Sequence, residues 1–507
     1  MSSVLDELDT VEPATDLLSV IAGARSAFLL SLDVGTSGVR AALFDDRGNE
    51  IYAVRSPRPI AAFSDLGVLD PDQIVAQVIG TVDDLLTSFD TSHEVRFIAI
   101  SCFWHSLIGV DKNGRATTPL LSWADTRAAT SATFLRSSFD EQEIHQRTGC
   151  RFHASYWPAK LHWLQQNQPD VSRETERWLG FSEYLCQQLF DSTSMSVSMA
   201  SATGLLDQRT CEWDWKLIQA LQIPEQSLPD IASDKQRPHL RSEFVERWPA
   251  LSEAQLSLVV GDGAANNIGG GCSDKDRYAL MVGTSGAMRV AYKGDPPQHI
   301  PAELWSYRAS RSMVIVGGAL SDGGGLYRWL TDLMSLDDDP GEIEERLAAL
   351  EPDAHGLTIL PFWSGERSTG WSGNARGAIL GLTQQTKPEE ILRAALEAIA
   401  YRFALIARAL DSVSGNATIV ATGNALRSSR VWLQIMADVL GRPMAINNTR
   451  EASTRGAALL ALEGLGKIEN INQDFEIDEV VDPDLSRHSR YLEGLARQQK
   501  VYERLIQ

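Results

Sequence analysis

The sequence predicts an α/β protein built from two large domains around one cleft. Three observations carry this. A chain of 507 residues exceeds what one compact hydrophobic core serves. Short apolar strands alternate with segments of helical period. The tetrapeptide Gly-Thr-Ser-Gly occurs twice, at 35–38 and 283–286, each time between an apolar strand and a returning one. A repeated tetrapeptide alone carries little, but the same strand–turn–strand setting in each half of the chain suggests a duplicated architecture with two glycine turns facing one cleft.

Residues 1–26 form an acidic, weakly periodic N-terminal extension that could hold one helix and shows no chemistry. From Phe28 the chain reads as strand 28–33, the first glycine turn, and strand 39–44 closed by Asp46-Arg47-Gly48. Helical segments such as 71–90 then alternate with strands such as 97–100, and the apolar run 256–260 leads into Gly261-Asp262-Gly263. The second hairpin runs from Tyr278 through Gly283-Thr284-Ser285-Gly286 to Tyr292. Helices follow at 389–411 and 428–441, and one from Ser486 closes the chain. The domain boundary falls near Cys272–Asp276, where a glycine triplet gives way to a charged run, so that 27–273 and 274–507 are the expected domains.

Charge and cysteine usage exclude several functions. Lys and Arg number 46 against 67 Asp and Glu, a net charge of −21 that repels phosphate backbones and anionic lipid surfaces, so neither nucleic acid nor membrane is an expected partner. Asp6, Glu7, Asp9 and Glu12 stand where a signal peptide needs a basic region, and Arg25 with several serines interrupts the apolar stretch that follows. The five cysteines are scattered, with no metal-binding spacing, which suits free thiols in the reducing cytoplasm.

The chemistry concentrates in a few short stretches. Backbone N–H groups of the two glycine turns, with their Thr and Ser hydroxyls, suit phosphate oxygens, although ordinary tight turns use the same residues. Asp33, two residues before the first turn, could hold Mg²⁺ directly or through water. Asp262 lies at a strand end, where a carboxylate either caps a helix or accepts a hydroxyl proton during phosphoryl transfer. Trp104-His105 and Trp123-Ala124-Asp125-Thr126-Arg127 combine aromatic planes with hydrogen-bonding groups, as sugars require, but core tryptophans fit the same pattern. Thr422-Gly423-Asn424-Ala425, between a strand and the helix from Ser428, would let a flat ligand approach backbone. Neither GxxxxGK[ST] nor GxGxxG occurs.

In this order the pieces resemble the FGGY carbohydrate kinases of the actin, Hsp70 and hexokinase superfamily. Gly377-Ala378-Ile379-Leu380-Gly381-Leu382, followed by Glu390–Glu397, is similar to the family's C-terminal signature. Lys160–Leu164 fits the N-terminal one, but Trp157 replaces its usual Pro, Ser or Thr, a departure that bears on the shape of the sugar pocket. The resemblance implies two actin-like (ribonuclease H-like) domains flanking a cleft for ATP, Mg²⁺ and a small sugar or sugar acid, with a homodimer as a compatible assembly. It makes Asp33 the Mg²⁺-linked acid and Asp262 the general base in contact with sugar. Thr36 and Ser37 would form the first phosphate loop, and Gly283 and Thr284 the second. Gly324, Asn424, Ala425 and Ser428 would line the adenosine site, Asn424 standing where many relatives have a second glycine. Trp104, His105 and Asp125 would meet the sugar. Trp104 and His105 fall where glycerol kinases carry an arginine and a glutamate, which disfavours glycerol.

The stretches 105–127, 148–163 and 360–367 look most like gluconate-type kinases, with ketopentose kinases close behind. An aldonate carboxylate would then need Arg127, Lys160, His105 or His153. A nucleotide-binding sensor or pseudokinase stands as the alternative of another class.

Overall fold

The computed structural model describes residues 27–35, 38–57, 67–89, 95–233, 235–336, 339–447, 449, 451–472 and 477–506. The extension 1–26 and the loop residues Thr36 and Ser37 lie outside the described residues, and Asn424 is described by its backbone alone.

Two sheets organise the chain, and each grows from one of the predicted hairpins. In the first, β1 (Leu29–Gly35) and β2 (Gly38–Phe44) pair antiparallel, with β3 (Glu50–Arg55) outside β2. On the other side of β1 lie β4 (Phe97–Cys102) and β5 (Gln255–Gly261), both parallel to it, giving the order β5-β4-β1-β2-β3. β1 is buried at every position but its last and β4 at every position but its first, as strands covered by layers on both faces must be.

The second sheet repeats this plan. β6 (Arg277–Val282) and β7 (Gly286–Lys293) form its hairpin, with β9 (Met313–Leu320) and β8 (Trp305–Ser310) beyond β7. β10 (Thr418–Thr422) and β11 (Met444–Ile446) run parallel to β6, and β12 (Glu479–Val481) closes the edge. A hairpin flanked by two parallel strands thus occurs once in each half, which is the duplication that the repeated tetrapeptide suggests.

The helices that bear on the site are α1 (Pro71–Ser88), α2 (Trp157–Asn167), α3 (Asp262–Gly269), α4 (Gly324–Leu333), α5 (Pro388–Ser414), α6 (Arg430–Leu440), α7 (Ala452–Gly464) and α8 (Leu485–Leu505); of these α1, α5, α6 and α8 sit where the period predicts them, with small shifts at their ends. Asp70 accepts from Asp72 N and Gln73 N, and Pro71 follows, which fixes the start of α1.

α7 does not stay with the second sheet. Ala457–Leu462, with Ile468 and Ile471, joins the hydrophobic core around the first sheet. α7 crosses α3 at backbone contact: a Cβ on Gly269 would collide with the Ala452 carbonyl, and one on Gly456 with the Ala265 carbonyl. Only glycine at both positions permits that approach. Ser31 Oγ donates to Thr454 O at 2.8 Å, tying β1 to the same helix. Gly456→Ala should therefore cost about 1–3 kcal/mol through forced displacement of the two helices. A fall in the denaturant midpoint at unchanged slope reads this, and an unmoved midpoint would show that the crossing has slack.

Candidate active site

Because β1, β4 and β5 run parallel and in register, Asp33 lies beside Ser101, and Cys102 beside both Val34 and Gly261. Their carboxyl ends meet at one edge of the sheet, the position where α/β sheets collect ligands. Asp33 is buried near the end of β1. Ser101 Oγ donates to its Oδ1 at 2.7 Å and Arg40 Nη1 to its Oδ2 at 3.1 Å, while Arg40 Nε reaches Glu451 Oε2 at 2.5 Å. Burial raises the Asp33 pKa, and the Arg40 charge opposes the rise.

Asp262 opens α3 and is partly exposed. It does not act as a helix cap: Gly261 is the N-cap, and Asp262 Oδ1 accepts from the adjacent Gly263 N at 2.8 Å. Burial, then the negative charge of Asp33, raises its pKa to about 6. The Arg289 charge and the backbone N–H groups of Gly263 and Trp104 oppose the rise.

The glycines flanking Asp262 exist for Trp104. A Cβ on Gly261 would fall inside the indole, and one on Gly263 would come within 2.6 Å of it. Trp104 Nε1 donates to Ser198 O at 3.1 Å, and Ser198 Oγ accepts from Gly261 N at 3.1 Å, so ring and backbone are fixed together.

His105 follows in a left-handed conformation with φ 67°. Lys160 Nζ, from the first turn of α2, donates to His105 O at 2.5 Å, Leu121 O at 3.1 Å and Ser122 O at 2.9 Å. Burial lowers this lysine's pKa to about 7. Trp157 Nε1 donates to Ser106 O at 2.8 Å, so the departure from the family signature braces the backbone next to His105.

Burial pushes the pKa of His105 well below its ordinary value and that of His153 to about 3, so both rings are neutral near pH 7. His105 Nδ1 lies 2.7 Å from the Ala202 carbonyl, which only accepts, so Nδ1 carries the proton and Nε2 is an acceptor. His153 Nδ1 accepts from Ser155 N at 3.2 Å, which puts the proton on Nε2, and the Glu366 backbone is a further hydrogen-bond partner of the ring.

Around these imidazoles stands an aromatic wall drawn from both halves of the chain. Trp104 meets Tyr307 edge-on with centroids 5.1 Å apart, His105 lies 5.1 Å from Tyr156, and Tyr156 Oη is 2.5 Å from Tyr307 Oη. Trp371 packs 6.0 Å from His153.

At the second glycine turn, Gly324 N donates to Gly283 O at 2.8 Å, and Gly323 N and Gly325 N each donate to Thr284 O at 3.0 Å. A Cβ on Gly324 would stand 2.6 Å from Ala425 Cβ. Gly283, Thr284, Gly324 and Ala425 therefore form one contiguous patch of backbone. Ser428 is one turn along, its Oγ on Ala425 O at 3.2 Å.

Residues 28–269 match the FGGY family of carbohydrate kinases, N-terminal domain, and residues 278–464 match the C-terminal domain of the same family. The chain belongs to this family. It is 28% identical over 463 residues to a gluconokinase of Bacillus subtilis, covering 88% of this chain and 89% of that one. A gluconate kinase structure from Lactobacillus acidophilus superposes with a TM-score of 0.85 at 28% identity, covering 94% of this chain and 98% of that chain. A xylulose kinase structure from the same organism gives 0.85 at 27%, with the same coverage. The chain is thus a sugar phosphotransferase with the actin-like ATPase fold of these kinases. No helix among the described residues is long and apolar enough to cross a membrane.

Of the residues expected to serve this FGGY kinase, the structure gathers Asp33, Asp262, Trp104 and His105 at the end of the first sheet, and Gly283, Thr284, Gly324 and Ala425 at the second turn. Asp125 is held by its neighbour: Arg127 Nε and Nη2 donate to it at 3.0 and 2.7 Å, and the guanidinium lies 4.8 Å over Trp163. Arg127 and Lys160, expected to meet an acceptor carboxylate, therefore already have partners, and His105 and His153 carry no charge to offer. The reading from sequence missed Arg289, Tyr156, Tyr307 and Trp371. Arg289 left a signal, since it is a charge inside the apolar run 287–292 of a central strand.

The raised pKa of Asp262 has a consequence for stability independent of its role. Its folded value of about 6 exceeds the ordinary 3.8, so its ionised form opposes folding. Asp262→Asn should raise the melting temperature above about pH 6, with the gain fading as pH falls towards 4. Thermal melts of both proteins across this range check it.

Proposed function

We propose that this kinase transfers the γ-phosphoryl group of ATP to a terminal hydroxyl of a sugar acid of the gluconate type. Asp262 carries the reading. It is a partly exposed carboxylate beside the buried Trp104, and its pKa of about 6 leaves it ionised at neutral pH yet basic enough to take a hydroxyl proton. As that proton leaves, the acceptor oxygen attacks the γ-phosphorus and the bond to the β-phosphate oxygen breaks, releasing ADP. Thr36, Ser37, Gly283 and Thr284 would cradle the phosphates with backbone donors, and Gly324, Asn424, Ala425 and Ser428 would border the adenosine.

The acid pair fits a divalent cation. The charge of Asp33 raises the cost of ionising Asp262, and each oxygen of Asp33 keeps a lone pair beyond its bonds to Ser101 and Arg40. Asp33 would hold Mg²⁺, which when bound offsets charge on the phosphates. Trp104 would offer its ring to the sugar's CH groups, and His105 Nε2 would accept from a hydroxyl. Asp125 would stay with Arg127 as part of the pocket wall. Closure of the two halves over the ligands would exclude water, which the same geometry would otherwise phosphorylate.

A ketopentose acceptor is the second reading, favoured by the equal structural likeness to the gluconate and xylulose kinases. Coupled ADP release with MgATP against gluconate, xylulose, ribulose and glycerol separates the two. On the preferred acceptor, Asp262→Asn should lower kcat by roughly 10²- to 10⁴-fold while both ligands still bind. In the wild type, kcat/KM should fall as pH drops below about 6, where Asp262 becomes protonated. Near-normal turnover by the variant would refute the base, and silence across the panel despite ATP binding would favour a nucleotide-binding sensor.

A further inference from the structure

Two guanidinium groups near the aromatic and imidazole side chains have no carboxylate hydrogen-bonded to them among the described residues. Arg289 projects from β7, opposite Gly317, and is 7% exposed. A Cβ on Gly317 would lie 2.9 Å from Arg289 Cγ, and one on Gly263 would lie 3.3 Å from its Cζ and Nε, so two glycines make room for this side chain to cross towards the Asp262 turn. Its Nε and Nη1 are buried and have no hydrogen-bond partner among the described residues.

Arg367 is half-buried in the loop after Glu366. Its guanidinium stands 5.6 Å from the Trp123 ring, and the structure gives it no carboxylate partner among the described residues. Its charge is felt at His105, His153, Tyr156, Tyr307 and Arg289 alike, which sets it among the aromatic and imidazole side chains of the acceptor pocket.

Two like charges within electrostatic reach of each other, with no carboxylate hydrogen-bonded to either, are costly, and all the more unexpected in a chain that can draw on 67 acidic residues. The neighbouring acids are committed elsewhere: Asp125 to Arg127, and Glu366 to Arg402 and Tyr502. Among the described residues the carboxylate whose charge acts on Arg289 is Asp262, and it does so without a hydrogen bond.

We propose that Arg289 and Arg367 together hold the carboxylate of an aldonic-acid acceptor, and that they are the residues by which this site separates sugar acids from neutral sugars. The proposal rests on the gluconate-type reading above. A carboxylate offers about four lone-pair directions, enough for both forks, and the planar guanidinium is the side chain suited to it. Arg367 packs over Trp123, next to the Ser122 carbonyl that Lys160 holds, which puts it on the acceptor side and not on the glycine patch proposed for phosphates.

The test measures KM and kcat for gluconate and for xylulose in the wild type, Arg289→Gln and Arg367→Gln, with ATP affinity by calorimetry as the check that each variant folds. Each substitution should raise KM for gluconate by roughly 10- to 100-fold and lower the preference for gluconate over xylulose by a similar factor. Arg367→Lys, which keeps the charge and loses the fork, should fall between. A loss confined to kcat and equal on both acceptors would overturn the proposal and move these arginines to the transferring phosphoryl group. Unchanged gluconate KM in variants that bind ATP would overturn it as well, while leaving the gluconate reading intact. A wild type that phosphorylates xylulose and ignores gluconate would overturn both.

Discussion

The close crossing of α3 and α7 fixes the relative position of both acids. α3 begins with Asp262, and α7 follows Glu451, whose carboxylate meets the arginine that holds Asp33. Because Gly269 and Gly456 let the two helices touch through their backbones, the first acid, its arginine and the second acid are referenced to one rigid contact. The Ser31–Thr454 bond and the insertion of Ala457–Leu462 into the first core reinforce it. The C-terminal half of the chain therefore helps to position chemistry carried by the N-terminal half, and a substitution in α7 acts on Asp262 without touching the pocket.

How much of this was legible follows from the range of each interaction. Asp33, Asp262 and the second glycine turn sit in strand–turn patterns that a few neighbouring residues specify, so the sequence alone locates them. The four helices read from their period also stand within a few residues of their expected ends, because α5 and α6 bury continuous apolar stripes. What the reading missed is long-range. Tyr307 reaches Tyr156 because β8 lies at the edge of the second sheet and packs against the Val197–Ser201 helix, and no local pattern encodes that meeting. Lys160 looked like a cation available to substrate, but α2 turns it onto three carbonyls. Whether a charge is free is decided by tertiary contacts.

That difference orders the site's electrostatics. The acceptor pocket is polar yet nearly free of available charge: Lys160 and Arg127 are spent on fixed partners, and two imidazoles are held neutral by burial. A neutral imidazole held through one nitrogen, as His105 is by the Ala202 carbonyl, offers a fixed acceptor at the other, which reads a hydroxyl position without attracting anions. Arg289 and Arg367 stand out against this background because every other cation around them has been answered.

Arg289 also connects the two ends of the proposed reaction. At Asp262 it opposes Asp33: one charge pulls the pKa down and the other pushes it up, and the balance with burial leaves a value of about 6. Without the arginine, burial and the neighbouring acid would carry the carboxyl further towards protonation at neutral pH. An acceptor carboxylate settling on Arg289 would cancel part of the charge that restrains Asp262. On this reading the base becomes stronger when the hydroxyl it must deprotonate arrives, and remains weaker while the pocket is empty, when a strong base beside ATP would favour attack by water.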